Sequence, residues 1–243
     1  MEKEWFSSWF DTPYYHTLYK HRDYSEASVF IDNITDFLKL RSNSDCWDLC
    51  CGKGRHSIYL NKKGYHVVGT DLSVQSINEA NKSANDTLEF YSHDMRHLFR
   101  TNYFDVVFNL FTSFGYFETR HDDMNVFTAV EKALKSKGIF VFDFLNSEYV
   151  KNTLVDKDEK TIDGITFRIT KTIDNNTVIK NIDFMDEGES FHFEERVKLF
   201  DKDYFEGLAK ECNLSVLNVF GNYHLEDFNL NLSPRLILVL QKQ

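Results

Sequence analysis

Between residues 46 and 145 short apolar runs alternate with amphipathic stretches. CWDLC, at 46–50, is short and apolar enough to be a buried strand. RHSIYLNKKG follows as a helix that closes near Gly64. YHVVGTD (65–71) reads as a second strand and LSVQSINEANKSA (72–84) as a helix. LEFYSHD (88–94) and FDVVFNLF (104–111) read as the third and fourth strands. DDMNVFTAVEKALKSKG predicts a helix ending at Gly138, and IFVFDFL (139–145) a fifth strand. Strands and helices alternating at this spacing mean βαβ units and a parallel sheet. Several strands are apolar on both faces, which calls for helices on both sides. Upstream, YSEASVFIDNITDFLKL (24–40) carries Val29, Phe30, Ile34, Phe37 and Leu38 at helical spacing, with Ser25 and Ser28 as candidate caps.

From about residue 160 the period changes to two. ITFRITKTI, TVIKNIDF and SFHFEERVKLF are separated by the turn clusters DNN and DEGES, and predict antiparallel strands. DKDYFEGLAKECN then reads as a helix, LSVLNVFGNY as a strand and RLILVLQK as a final strand. No linker interrupts the pattern. The expectation is one domain over residues 1–243, with an antiparallel insertion at about 151–200 and an aromatic N-terminal segment, 1–23, as a lid. A helix packed on the sheet is the plainer reading of that segment.

Composition narrows the function classes. The net charge of -10 disfavours general binding to phosphate backbones. No run of 18 or more apolar residues marks a membrane span, and MEKEWF lacks the apolar core of an export signal. A cytoplasmic protein is therefore expected. Cys46, Cys50, Cys51 and Cys212 lack the second pair that a four-ligand zinc site needs, so free thiols and no metal are expected.

The stretch DLCCGKGRHS, after the first strand, is the candidate site. Gly52 and Gly54 would let the backbone approach a ligand, and the loop leads into a helix N-terminus. A mononucleotide phosphate loop needs G-x-x-x-x-G-K-[ST], which is absent. A dinucleotide loop needs a third glycine, where Ser57 stands. Asp71 ends the second strand, where a carboxylate can accept hydrogen bonds from both ribose hydroxyls. Asp94 ends the third, where a carboxylate suits an exocyclic amine such as that of adenine. These features fall at the carboxyl ends of successive strands, on one edge of the sheet.

The segment from Asp48 to Ser73, DLCCGKGRHSIYLNKKGYHVVGTDLS, resembles the first motif region of class I S-adenosylmethionine-dependent methyltransferases. The strings HDM, NLFTSFGYF, GIFVFDFLN and SPRLILVL fit the same family, with strong resemblance over roughly residues 15 to 150. It implies an α/β fold: a Rossmann-like, doubly wound seven-stranded sheet with a small antiparallel β extension. The implied cofactor is S-adenosyl-L-methionine, held by Asp48, Cys50, Gly52, Gly54, Asp71, Leu72, Asp94, Met95 and Leu110. Arg22 is the implied partner of the cofactor carboxylate, with Tyr19 beside it. Cys50 replaces the family's first glycine, and a small side chain there is expected to be accommodated if the position demands only close backbone approach.

The implied activity is methyl transfer to a nitrogen or oxygen of a small-molecule acceptor. Tyr14, Tyr15, His16 and Tyr116 are the candidates to face the acceptor, with His56, His192, His224 and Arg235 as further candidates. The rivals are a nicotinamide-dependent oxidoreductase, a non-catalytic cofactor-binding protein, and an RNA or protein methyltransferase. The oligomeric state is open; the antiparallel extension is one surface through which a dimer could form.

Overall fold

The structure is a computed structural model and describes residues 4–20 and 24–243. Five strands run parallel: β1 (Asp45–Leu49), β2 (His66–Asp71), β3 (Leu88–Ser92), β4 (Phe104–Asn109) and β5 (Leu134–Leu145). Two more, β10 (Leu214–Phe220) and β11 (Arg235–Lys242), complete the sheet; β11 is antiparallel to β5, and β10 to β11. The order across the sheet is β10-β11-β5-β4-β1-β2-β3. The chain reverses direction across the sheet between β1 and β4. That reversal opens a crevice at their carboxyl ends, where ligands bind in open sheets of this kind.

Alternation within the strands builds two cores, one per face. Trp47, Val107, Phe140, Phe142, Phe144, Leu236 and Leu238 point to one side. There they meet α6 (Arg120–Ala133) and α8 (Lys202–Glu211), through residues such as Phe127 and Phe205. Cys46, Val106, Phe108, Val141, Ile237 and Val239 point to the other. They meet α3 (Tyr24–Leu38), α4 (Arg55–Lys62) and α5 (Val74–Ala80), through Phe30, Ile34, Leu60 and Ile77. Both faces of the central strands are thus dry, which explains their unbroken apolar runs.

The insertion is a second sheet of four antiparallel strands in sequential order: β6 (Lys157–Ile162), β7 (Ile165–Asp174), β8 (Thr177–Asp186) and β9 (Glu189–Lys198). One face is apolar. Phe167, Ile169, Ile182 and Phe184 pack there against Trp9 and Leu18 of the N-terminal helices α1 (Trp5–Trp9) and α2 (Pro13–Leu18). The N-terminal helices therefore cover the small sheet through Trp9 and Leu18, while Phe6 joins the core on one face of the large one.

Two local expectations are corrected, and two elements appear that the pattern leaves unassigned. The helix α6 stops at Ala133, not Gly138, because buried Leu134 already pairs with Phe104 of β4. Residues 135–138 then form an irregularity in β5, with Lys137 at φ +64° and a register shift in the β4 pairing. The strand β6 reads KDEKTI, too polar for a strand pattern, yet it is the outer strand, where charge protects an open edge. A short helix, α7 (Ser147–Thr153), begins at Asn146, whose side chain accepts from the Glu148 N–H, and the sequence pattern did not mark it. The helix α3 is already formed at Tyr24, so Ser25 and Ser28 lie within it rather than before its start.

Candidate active site

The carboxyl ends of β1, β2, β3 and β4 form one wall of a cavity of about 690 Å3. The N-terminal helices, the loop after β4 and β9 close the rest, through Trp5, Phe10, Tyr116, Glu195 and Val197. The volume falls within the range of small-molecule and cofactor sites.

The floor is the turn between β1 and α4. Cys50, Gly52 and Gly54 have φ of +65°, +55° and +79°. The turn is pinned to β2: the Cys51 N–H donates to the Thr70 carbonyl at 2.9 Å, and the Gly52 N–H to Asp71 Oδ2 at 2.8 Å. Gly54 precedes α4 directly, and a Cβ there would lie 2.6 Å from the Phe90 ring. At Gly52 a Cβ would meet nothing within 4 Å, so that glycine faces open space. The expectation for Cys50 is overturned: the position requires a left-handed backbone, which costs a non-glycine residue about 1–2 kcal/mol. The Cys50 sulfur rests 3.4 Å from the Met95 sulfur, and burial pushes its thiol pKa well up. The paired cysteines are thus turn residues held as thiols.

Three carboxylates surround this floor. The Asp48 side chain is buried and accepts from Ser57 Oγ at 2.5 Å; burial raises its pKa to about 6 against that bond. Asp71 accepts one backbone N–H on each oxygen, from Gly52 and from Ser73, both at 2.8 Å. An ionised carboxylate has about four acceptor sites, so both Asp71 oxygens keep capacity toward the cavity. Burial raises the pKa of Asp71. Ser73, not Asp71, caps α5. Asp94 is more committed. It accepts from the Arg96 N–H and from Arg96 Nε and Nη2 at 2.6–3.1 Å. Burial works to raise its pKa, but the bonds to Arg96 and that residue's charge outweigh it and leave the carboxyl below its usual range. At most one acceptor site remains for an amine. Met95 and Leu110 line the cavity as buried apolar walls, and half-exposed Leu72 lies beside Asp71.

The N-terminal helices are fastened over the cavity at three points. Glu4 takes both Nη atoms of Arg96, at 2.9 and 2.8 Å. Asp11 accepts from Ser73 Oγ at 2.7 Å and the Gln75 N–H at 3.1 Å, beside the end of β2. Glu195 of β9 accepts from Trp9 Nε1 at 2.7 Å and from the Tyr19 hydroxyl at 2.7 Å, with Lys180 at 3.3 Å. Trp5, Phe10 and Tyr116 pack edge to face at 5.4–5.6 Å and form an aromatic wall.

Tyr15, His16, Tyr19 and Tyr116 line the cavity. His16 is held neutral: burial first, then the Lys53 charge, lower its pKa to about 4. The Tyr116 hydroxyl donates to the Thr112 carbonyl. Tyr14 is a correction. Its ring packs on Phe184 and Phe191 and its hydroxyl donates to Asp186 at 3.0 Å, so it serves the small sheet and does not line the cavity. His192 pairs with Asp183 on the exposed side of that sheet, and His224 is exposed in the loop after β10; neither lines the cavity. His56, Arg55 and Arg235 do line it. Arg22 lies outside the described residues.

Sequence reasoning missed Arg96, Glu195 and Asp143. Asp143 was detectable as a lone carboxylate inside the apolar run IFVFDFL. Glu195 gave no signal, because its partners Trp9 and Tyr19 are far away in the chain; Arg96 stands two residues from Asp94, and the sequence does not show that its guanidinium turns back onto that carboxylate.

Residues 47–138 match the family model of the methyltransferase domain. The methyltransferase-like protein YqeM of Bacillus subtilis (strain 168) is 27% identical over 223 residues, covering 86% of this chain and 87% of that protein. An S-adenosylmethionine-dependent methyltransferase from Clostridium acetobutylicum ATCC 824 superposes with a TM-score of 0.79 at 21% identity, covering 94% of this chain and 96% of that one. The amino pentose methyltransferase CalS10 of Micromonospora echinaspora gives a TM-score of 0.72 at 17% identity, covering 96% and 98%. At these identities the superpositions show a common fold. Among the described residues, no helix is long and apolar enough to cross a membrane.

Proposed function

We propose that this chain is a class I S-adenosylmethionine-dependent methyltransferase and that it methylates a small-molecule acceptor, at nitrogen in preference to oxygen. The observation that carries the cofactor assignment is the left-handed turn pinned to Asp71, with an open face at Gly52, at the reversal point of the sheet. These residues fit the cofactor. Asp71 offers free acceptor capacity for the ribose hydroxyls, and Asp94 keeps one site for the adenine amine. Gly52 and the Leu110 carbonyl would border the methionine portion. Bound there, the cofactor supplies an electrophilic methyl on a sulfonium. An apolar, aromatic cavity suits such a cation and excludes the water that would compete for position.

Residues 4–20 act as a lid, and the chain works as a single methyltransferase domain with the small sheet as the lid's seat. The three fastenings, at Arg96, Ser73 and Glu195, support this. The acceptor side is bounded by Trp5, Phe10, Tyr15, Tyr116 and Glu195. His16, held neutral with a pKa of about 4, is a weak base. It is better matched to an amine that arrives unprotonated than to a hydroxyl that must lose its proton at attack. The fold shared with an amino pentose methyltransferase is compatible with this choice.

The test is a thermal melt with S-adenosylhomocysteine, S-adenosylmethionine and NAD in parallel. A ligand at 100 times its dissociation constant stabilises by about 2.7 kcal/mol, or about 5–10 °C for a chain of this size. A shift with the adenosyl ligands alone is expected, followed by turnover on amine acceptors. A shift with NAD alone would sink the assignment. Binding without turnover on amines or alcohols would favour a non-catalytic binding protein.

A further inference from the structure

Two consecutive residues after β4, Phe111 and Thr112, have φ of +58° and +62°. Neither is a glycine, so the surrounding structure must impose this conformation. Asp143, near the carboxyl end of β5, imposes most of it. Its side chain has 0% exposure. Its Oδ2 accepts the Phe111 N–H at 2.7 Å and the Tyr223 hydroxyl at 3.2 Å. Its backbone carbonyl accepts the Thr112 N–H at 3.2 Å. Its Oδ1 accepts Arg235 Nε at 2.8 Å, and Arg235 Nη2 continues to Thr112 Oγ1 at 2.8 Å. The buried Asp143 carboxylate thus holds the Phe111 amide, its backbone carbonyl holds the Thr112 amide, and the Arg235 guanidinium holds the Thr112 hydroxyl. The Phe111 ring stacks on Tyr223 at 5.0 Å and meets His56 at 5.0 Å on its cavity side.

The sheet order says which end of the ligand this turn serves. Asp71 and Asp94 end β2 and β3, on one side of β1, and take the nucleoside in the reading above. The turn follows β4, on the other side of β1. We propose that Asp143 and Arg235 are positioning residues for the amino-acid end of the S-adenosylmethionine site. They hold the Leu110–Ser113 turn left-handed, and the turn presents the Leu110 carbonyl and the Phe111 ring to that end. The proposal rests on the assignment of the cavity to this cofactor.

Two ligands separate the ends. S-adenosylhomocysteine carries the amino and carboxylate groups; 5′-methylthioadenosine keeps the nucleoside and the sulfur but lacks both. Calorimetry on the wild type and on Arg235→Gln, Thr112→Val and Thr112→Ser gives their dissociation constants, with melting temperatures recorded alongside. Losing one hydrogen bond to a charged group should weaken S-adenosylhomocysteine about tenfold in Arg235→Gln and Thr112→Val, and leave methylthioadenosine within about twofold. Thr112→Ser keeps the hydroxyl and should match the wild type. A role in stability alone would lower the melting temperature and change both affinities equally, which overturns the proposal. So does a loss in Arg235→Gln with Thr112→Val silent, since Arg235 would then act on the ligand directly. If Arg235→Gln does not fold, the Thr112 pair decides by itself. A wild type that binds neither ligand overturns the cofactor assignment and the proposal with it; wild-type binding with equal losses in the variants overturns the proposal alone.

Discussion

Gly54 and Gly52 stand two residues apart in the same turn, and alanine should harm the protein differently at each. At Gly54, φ is +79° and a Cβ would lie 2.6 Å from two carbons of the Phe90 ring and 3.3 Å from the Ala80 Cβ. Phe90 is buried in β3 and Ala80 in α5, so neither can swing into solvent. The left-handed backbone costs alanine about 1–2 kcal/mol and the overpacking about 1–3 kcal/mol, or about 2–5 kcal/mol together. With an unfolding entropy of about 2.1 cal/mol/K per residue over this chain, that is a fall of about 4–10 °C. At Gly52, φ is +55° and the space is open, so only the backbone cost applies and the fall should be about 2–4 °C. The open face at Gly52 is, however, where the cofactor would lie. Melting both variants with and without S-adenosylhomocysteine checks this. Gly54→Ala should melt lower in the free state, while Gly52→Ala should lose more of the ligand-induced shift. Equal falls in the free state, or a full ligand shift in Gly52→Ala, would refute the assignment of Gly54 to packing and Gly52 to binding.

Two further outcomes follow from the carboxylates Asp123 and Glu195. Asp123 is fully buried in the first turn of α6, its Oδ1 has no partner among the described residues, and burial raises its pKa to about 6 despite the Tyr204 hydroxyl at 2.7 Å. A folded-state pKa above the unfolded value removes stability as pH rises from near 4 to near 6. The melting temperature of Asp123→Asn relative to wild type should therefore climb across that interval and level off above it; a flat difference from pH 4 to 8 would count against the burial argument. Glu195→Gln weakens the seat of the lid at Trp9, Tyr19 and Lys180. Hydrogen exchange in residues 5–19 should then accelerate by about tenfold, with β1 and β4 unchanged, and unaltered exchange there would remove Glu195 from the lid's anchorage.

Much of the fold was legible because its central strands obey a local rule. Each is short, apolar on both faces and followed by a turn, so position and direction could be read without knowing the neighbours. The misreadings share a cause. The stretch after Ala133 looks helical by propensity, but Leu134 gains more by pairing with β4 than by prolonging α6. KDEKTI carries no strand pattern and is left unassigned by the sequence, but a strand at a sheet edge needs a partner on one side only. At the site, the motif residues were legible because they follow one another along the wall. Tyr14 was misassigned because helix α2 has two sides: Tyr15 faces the cavity, while Tyr14, next to it, faces the small sheet.

The sequence by itself determined the alternating βαβ rhythm, the glycine turn and the carboxylates at the ends of β2 and β3. These follow from spacing along one chain, and spacing survives in a string of letters. Only the tertiary structure decided that Cys50 must be left-handed, since φ depends on where β1 must hand over to α4. It also decided that Arg96 occupies most of Asp94, that Glu195 anchors the N-terminal helices, and that Asp143 and Arg235 hold the turn after β4. Glu195 with Trp9 and Tyr19, Asp143 with Arg235, and Glu4 with Arg96 join residues from distant parts of the chain, and the energy of such a contact exists only after the sheet has brought its members together.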